Sequence, residues 1–188
     1  MASALARLPS ADVPAASAAR VRVLPQVGPP VMTSPIVINI HGAKLLSSEL
    51  SKNARIDPRA KSKITSRHRI GANGATVKAI CAASKYTPMA TGKIIGGKPV
   101  FAAYHRDGPF PVRSVTLTRI CPTRYMSDGD NASTLLSATR DGVADALGVN
   151  DKVFVDNPTE EQLQNGKIGI RYEQIDGPWG VRITIEPR

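Results

Sequence analysis

Apolar and polar positions alternate most clearly in VRSVTLTRI, residues 112–120, where β-branched side chains recur with period two. That pattern predicts a strand with one buried face. Similar runs predict a first strand at Ile36–Ile40 in MTSPIVINIHG, a short strand at KVFV, and two more in GKIGIRYEQI and GVRITIE. The last two read as a hairpin turning at Asp176–Gly177–Pro178. Between Asn131 and Leu147 the period becomes helical: Leu135, Leu136, Val143, Ala146 and Leu147 share a face, Asn131 suits the N-cap, and Gly148 is a suitable stop. VKAICAASKY (77–86) predicts a short helix on Val77, Ile80, Cys81 and Ser84, and TGKIIGGKPVFAAY is turn-rich, then extended. The order predicts a single small α+β domain with a mixed sheet and a long helix late in the chain; no internal repeat is visible.

The chain has 188 residues, 41% hydrophobic but only 4% aromatic, so one domain with an aliphatic core is expected. Residues 1–31 are rich in Ala, Ser, Pro and Val, and Pro9, Pro14, Pro25, Pro29 and Pro30 work against an amphipathic targeting helix. They are expected to form a disordered leader, with the domain spanning 32–188 and Met32 a natural alternative start. No apolar run approaches the ~20 residues that span a bilayer, so no membrane partner is expected. Cys81 and Cys121 form neither a disulfide framework nor a CxxC knuckle, which fits a reducing cytosol.

Charge changes the picture. A formal charge of +10 and a pI near 10.0 point to a polyanionic partner, most simply nucleic acid. Between Lys44 and Arg106 there are thirteen Lys or Arg and two acids; between Asp128 and Glu161 there are eight acids and two bases. Arg55, Arg59, Lys61, Lys63, Arg67, Arg69, Lys78 and Arg124 are candidate phosphate contacts.

Three familiar chemistries are excluded on detail. GKIIGGKP fits G-x-x-x-x-G-K but places Pro99 where a phosphate-binding loop needs Ser or Thr, and proline has no N–H for the cradle, so this is a basic turn. His41, His68 and His105 lack zinc-ligand pairing and are expected at the surface or on phosphate. DGDNAST opens like a calcium loop, but Ala132 and Thr139 remove two required oxygens.

The remaining candidate is YMSDGDNASTLLSATRDGVADALGVNDK (125–152), where five aspartates gather with Arg140 as the interior base. Asp128 and Asp130 follow a strand at i,i+2, so in extended geometry both carboxylates face one way. The helix after them delivers Asn150 and Asp151 in its closing turn. Spacing alone leaves two readings open. Either three carboxylates converge on a hard divalent cation, or the segment is an amphipathic helix with acidic flanks. For Asp141 and Asp145 the solvated reading is expected.

These residues also carry a resemblance. VTLTRICPTRYMSDGDN…TRDGVADALGVND resembles the RusA-type Holliday-junction resolvases of phages and prophages, which combine a strand, D-x-D-N, a helix reading K-x-x-x-D and a terminal acidic pair. It runs from Val115 to Lys152, extends through the closing strands to Glu186, and in the basic half is limited to the order of strand then basic loop. It implies a small homodimeric endonuclease that cuts four-way or otherwise branched DNA with magnesium (or manganese), its metal ligands falling on Asp128, Asp130 and Asp151. The family's helix lysine falls on Ser137, and Asn150 stands where relatives often carry aspartate. That departure implies slower cleavage, unless Lys152 beside Asp151 supplies the missing charge. A DNA-binding protein with a decayed site is the alternative. An RNA-binding structural protein rests on charge alone and lacks aromatic stacking signals.

Overall fold

The computed structural model describes residues 34–45, 47–50, 55–126 and 131–188. The expected leader, the Met32 start, Asp128 and Asp130 lie outside the described residues. A mixed five-stranded sheet is formed by β1 (Ile36–His41), β4 (Val112–Cys121), β5 (Phe154–Asp156), β6 (Ile168–Asp176) and β7 (Gly180–Pro187), in the order β1-β7-β4-β6-β5. A separate two-stranded ribbon pairs β2 (Thr87–Ile95) with β3 (Lys98–Tyr104). The helices are α1 (Ser47–Leu50), α2 (Pro58–Ala83), α3 (Ala132–Leu135), α4 (Ser137–Leu147) and α5 (Glu160–Gln164). The expected α+β class is thus observed.

Period-two patterning explains the sheet's two faces. Val115 and Leu117 of β4, Val181, Ile183 and Ile185 of β7, and Ile36 and Ile38 of β1 are buried in one cluster with Ile80, Leu135, Leu136, Val143 and Leu147 from the helices. Full burial of one such aliphatic side chain is worth about 1.5–3 kcal/mol. The alternate positions carry polar cross-strand bonds: Ser114 Oγ donates to Glu186 (2.6 Å), Thr118 to Glu173 (3.2 Å), and Arg182 to Asn39 (3.1 Å).

β6 and β7 are strands as expected, but they are not a hairpin. β4 lies between them, parallel to β6 and antiparallel to β7. Neighbouring strands sit about 4.8 Å apart, so the link must step over the end of β4. Gly177 does this at φ 154°, its N–H donating to Cys121 O at 3.2 Å; a side chain there would meet Ile120.

Two helix expectations are also corrected. The short helix at 77–86 is the last part of α2, which runs from Pro58 to Ala83 and excludes Tyr86. Asp57 caps it, its Oδ1 accepting from Arg59 N (2.7 Å) and Ala60 N (3.2 Å), with Pro58 pre-set for the first turn. Asn131 does not cap the late helix: it has αR geometry and makes no side-chain cap bond. That helix is broken at Leu136 into α3 and α4, and Gly148 ends it at φ 68°, as expected.

The packing of α2 on α4 sets the position of everything that follows. Gly142 lies so close to α2 that a Cβ would overlap the Arg69 carbonyl and come within 2.9 Å of the Ala72 Cβ. Asn73, buried at the same crossing, donates to Phe101 O (2.7 Å) and accepts from Phe101 N (3.2 Å), joining β3 to the helices. Beside this contact Arg69 donates to both oxygens of Asp145 (2.7 and 3.1 Å), Lys93 reaches Asp145 at 2.8 Å, and Arg69 meets Asp141 at 3.5 Å. Asp145 is only 10% exposed, so the solvated reading of this pair is overturned. The cause is two cations from distant segments, which no local spacing reveals.

Two stability measurements check this packing. Gly142→Ala should cost about 2–3 kcal/mol through overpacking, lowering the melting temperature by about 5–10 °C for a domain of this size. A melting temperature within 1 °C of wild type would contradict the close approach.

Burial alone would raise the Asp145 carboxyl, but the bonds from Arg69 and Lys93 outweigh it and hold the pKa below the ordinary aspartate value. A depressed folded-state pKa stabilises above the unfolded value, near 4, and the gain is lost as pH falls through the folded value. Asp145→Asn should therefore be less stable than wild type at pH 7, with the difference shrinking below about pH 4 in denaturant titrations. A pH-independent difference would contradict the ion pair.

Candidate functional site

The charge ladder that starts at Lys93 continues past the helix contact to the end of α4. Arg140 lies one turn beyond Ser137 on the same helix face. Its guanidinium reaches Asp141 Oδ1 from Nη2 (3.1 Å) and Nε (3.3 Å), and Asp151 Oδ2 from Nη2 (3.5 Å). Tyr172 of β6 also lies close enough to influence its charge. Burial works against the Arg140 charge, but Asp141 and Tyr172 more than compensate, and its pKa is raised. Burial likewise pushes the Tyr172 hydroxyl up despite the neighbouring guanidinium, which keeps it a neutral phenol at pH 7.

Asp151 opens a single 3-10 turn, Asp151–Val153, whose N-cap is Asn150: the amide oxygen accepts from Lys152 N at 3.0 Å. Asn150 thus has a structural task at the position where the resemblance expects an acid. The Asp151 side chain is 47% exposed. Its Oδ1 makes no ion pair or hydrogen bond among the described residues, which leaves one hard oxygen available to a ligand. Lys152 is exposed, and its ammonium pairs with no carboxylate among the described residues, so the cation brought against Asp151 is Arg140 and not Lys152. Sequence reasoning treated Arg140 only as a lone base in an acidic run. Its i+3 offset from Ser137 was the available signal.

Asp128 and Asp130 fall outside the described residues, and among the described ones no three acid, His or Cys side chains gather closely enough to hold a metal. The segment leading to them is well anchored. Arg119, 1% exposed on the inner face of β4, donates to Tyr125 O (3.1 Å), Gln174 Oε1 (2.7 Å) and Leu45 O (2.7 Å). A buried charge is expensive unless its donors are satisfied, and burial pushes this guanidinium's pKa down. Its three bonds tie β4, β6, the turn after β1 and the Thr123–Tyr125 turn into one unit beside residue 126. Arg124 covers the Tyr125 ring at 4.9 Å, and Tyr125 packs on Trp179 at 5.0 Å.

The candidate phosphate contacts divide. Arg69 is turned inward onto Asp145 and Asp141, whereas Arg55, Arg59, Lys63, Arg67, Lys78 and Arg124 are exposed and Lys61 is half-buried. Among the described residues none of Arg59, Lys63 and Arg67 has a carboxylate partner. His68 is not the surface group expected from sequence: its Nε2 is buried without a partner, and burial and Arg67 lower its pKa. His105 is also largely buried, its ring packed at a tilt against Tyr86 with centroids 5.3 Å apart. The basic turn is confirmed as the tip of the β2–β3 ribbon, where Gly96 and Gly97 take φ of 55° and 76°.

No helix among the described residues is long and apolar enough to cross a membrane. Comparison with known proteins adds little about identity. No family model matches the chain, and no solved structure matches it. The chain is 48% identical over 73 residues to an uncharacterized protein of Xylella fastidiosa (strain Temecula1 / ATCC 700964). That match covers 35% of this chain and 46% of the relative, so the chain spans less than half the relative's length.

Proposed function

We propose that this protein is a magnesium-dependent endonuclease of the RusA-like kind, a cytoplasmic homodimer that cuts branched DNA. The observation that carries the reading is the pairing of Arg140 with Asp151 at 3.5 Å. The resemblance calls for a helix cation beside the last acid of an aspartate trio, and this chain has one, displaced by a turn from Ser137. Asp151 suits its share of such a site: a half-exposed carboxylate with one oxygen unengaged and oxygen chemistry that hard cations prefer. Asp128, Asp130 and Asp151 would hold the ion. When bound, magnesium supplies an activated water and stabilises charge on the attacked phosphate.

The protein's own groups do the rest. Arg140 orients Asp151, with Asp141 fixing the guanidinium in turn, and presents positive charge to the phosphate. Arg119 holds the strand end and turn that precede Asp128 and Asp130 in the chain. Unpaired cations of the basic half bind the DNA arms. The alternative is a DNA-binding protein that does not cut. What favours it is Ser137, an uncharged residue whose hydroxyl is committed to Thr134 O at 2.9 Å.

The test is cleavage of a labelled four-way junction with and without magnesium. Asp130→Asn and Asp151→Asn should each lower the rate by at least two orders of magnitude while junction binding stays equal or tightens, since each removes a charge that repels phosphate. Arg140→Ala should cost about two orders of magnitude, Arg140→Lys should recover part of it, and Ser137→Lys should gain less than Arg140→Ala loses. Wild-type protein that leaves junctions intact with magnesium or manganese would sink the nuclease reading.

A further inference from the structure

α2 is longer than the core beneath it. Among Pro58–Gly71 no residue is fully buried; the buried positions Ala72, Asn73, Thr76, Val77 and Ile80 all lie in the second half. The exposed half carries Arg59, Lys61, Lys63, Arg67 and Arg69 with no acid in the helix. Arg69 faces α4 and is neutralised there. Arg59, Lys63 and Arg67 instead form an i,i+4,i+8 row, each step rising about 6 Å along the helix. Like charges at this spacing destabilise a helix, and cations near its N-terminus also oppose the helix dipole. Packing does not compensate, so the row is explained by something outside the fold.

The ribbon supplies the second wall. Its tip comes against α2 at Gly96, where a Cβ would lie 3.2 Å from the Ser66 Cβ. Between the two elements lies an open groove of about 500 Å³, lined by Lys63, Arg67, Ser62, Ser66 and Ile70 from α2 and by Ile95 and Lys98 from the ribbon. Among the described residues none of the three cations has a carboxylate partner. Other cations do face acids: Arg69 and Lys93 meet Asp145, Arg140 meets Asp141 and Asp151, Arg106 meets Asp107, and Arg113 meets Glu160. A groove whose lining takes cations without carboxylate partners from both elements, with serine hydroxyls among them, fits a chain of phosphodiesters, one negative charge following another.

We propose that this groove between α2 and the β2–β3 ribbon seats one phosphodiester backbone of a DNA duplex arm, with Lys63 and Arg67 on one side of the strand and Lys98 on the other. The proposal deepens the nuclease reading by assigning its DNA-holding surface, and rests on that reading only for the identity of the nucleic acid. Lys98 belongs to the surface although it lies 31 residues beyond Arg67, because the ribbon folds back onto the helix.

The experiment is fluorescence-anisotropy binding of the full chain to labelled duplex DNA in EDTA, across roughly 50–200 mM salt. Each phosphate contact contributes about 0.9 to the slope of log affinity against log salt. The Lys63→Gln, Arg67→Gln, Lys98→Gln triple variant should flatten the slope by about two to three, with an unchanged melting temperature. The charge-conserving Lys63→Arg, Lys98→Arg pair should keep the wild-type slope, as should Arg113→Gln, whose cation already faces Glu160. A triple variant with the wild-type slope overturns the assignment. So does a wild type that ignores DNA, or one whose groove cations are needed only for vesicles containing phosphatidylserine. Because no divalent metal is present, the result is independent of cleavage: a protein that binds through this groove and cuts nothing loses the nuclease reading alone.

Discussion

The close approach of α4 to α2 at Gly142 is the constraint on which the rest of the structure depends. A helix whose backbone touches its neighbour has little freedom to rotate or slide, because every side chain at the crossing is then in contact. Asn73 fixes the same point from the ribbon side, and Arg69 with Asp145 fixes it from the solvent side. Once α4 has this phase, Ser137, Arg140 and Asp141 fall on the face that meets Tyr172 and the Asp151 turn, and the buried face carries Val143, Ala146 and Leu147.

This contact also explains why a strongly basic chain collects acids in one segment. The basic half and the acidic half are two sides of one interface, and the ladder from Lys93 through Asp145, Arg69, Asp141 and Arg140 to Asp151 alternates in sign along its length. A carboxylate buried to this degree needs its cations, because removing one partner would leave an uncompensated charge out of water. Beyond this internal neutralisation lie cations on the outer face of α2 and the ribbon, and the partly engaged carboxylate of Asp151 in the turn after α4. In the proposed reading, DNA would be held on one face of this helix pair and cut at the other.

Much of the fold was legible in the sequence because it obeys local rules. β1, β4, β6 and β7 follow period two, and Gly148 ends α4 in the left-handed conformation that favours glycine. α2 was read only in its last turns because its buried stripe is made of Ala72, Asn73 and Thr76, small or polar residues that leave no apolar period. The β6–β7 hairpin failed for a different reason: two antiparallel strands joined by a short turn look alike in sequence whether or not a third strand, here β4, lies between them. The site was legible in part. Asp151 was singled out from its motif, but the partners of Asp145 are 76 and 52 residues away, and Arg140 gains meaning only once α4 lies beside β6.

The central claim is that Arg140 and Asp151 act as one unit in phosphodiester cleavage. A double-mutant cycle on the single-turnover rate tests it, comparing wild type, Arg140→Ala, Asp151→Asn and the double variant under saturating junction. Residues that work as a unit are strongly non-additive, so the double variant should cut no more than a few-fold slower than the slower single variant. A double variant slowed by the full product of the two single effects would show that the pair is a surface ion contact with no shared part in the chemistry.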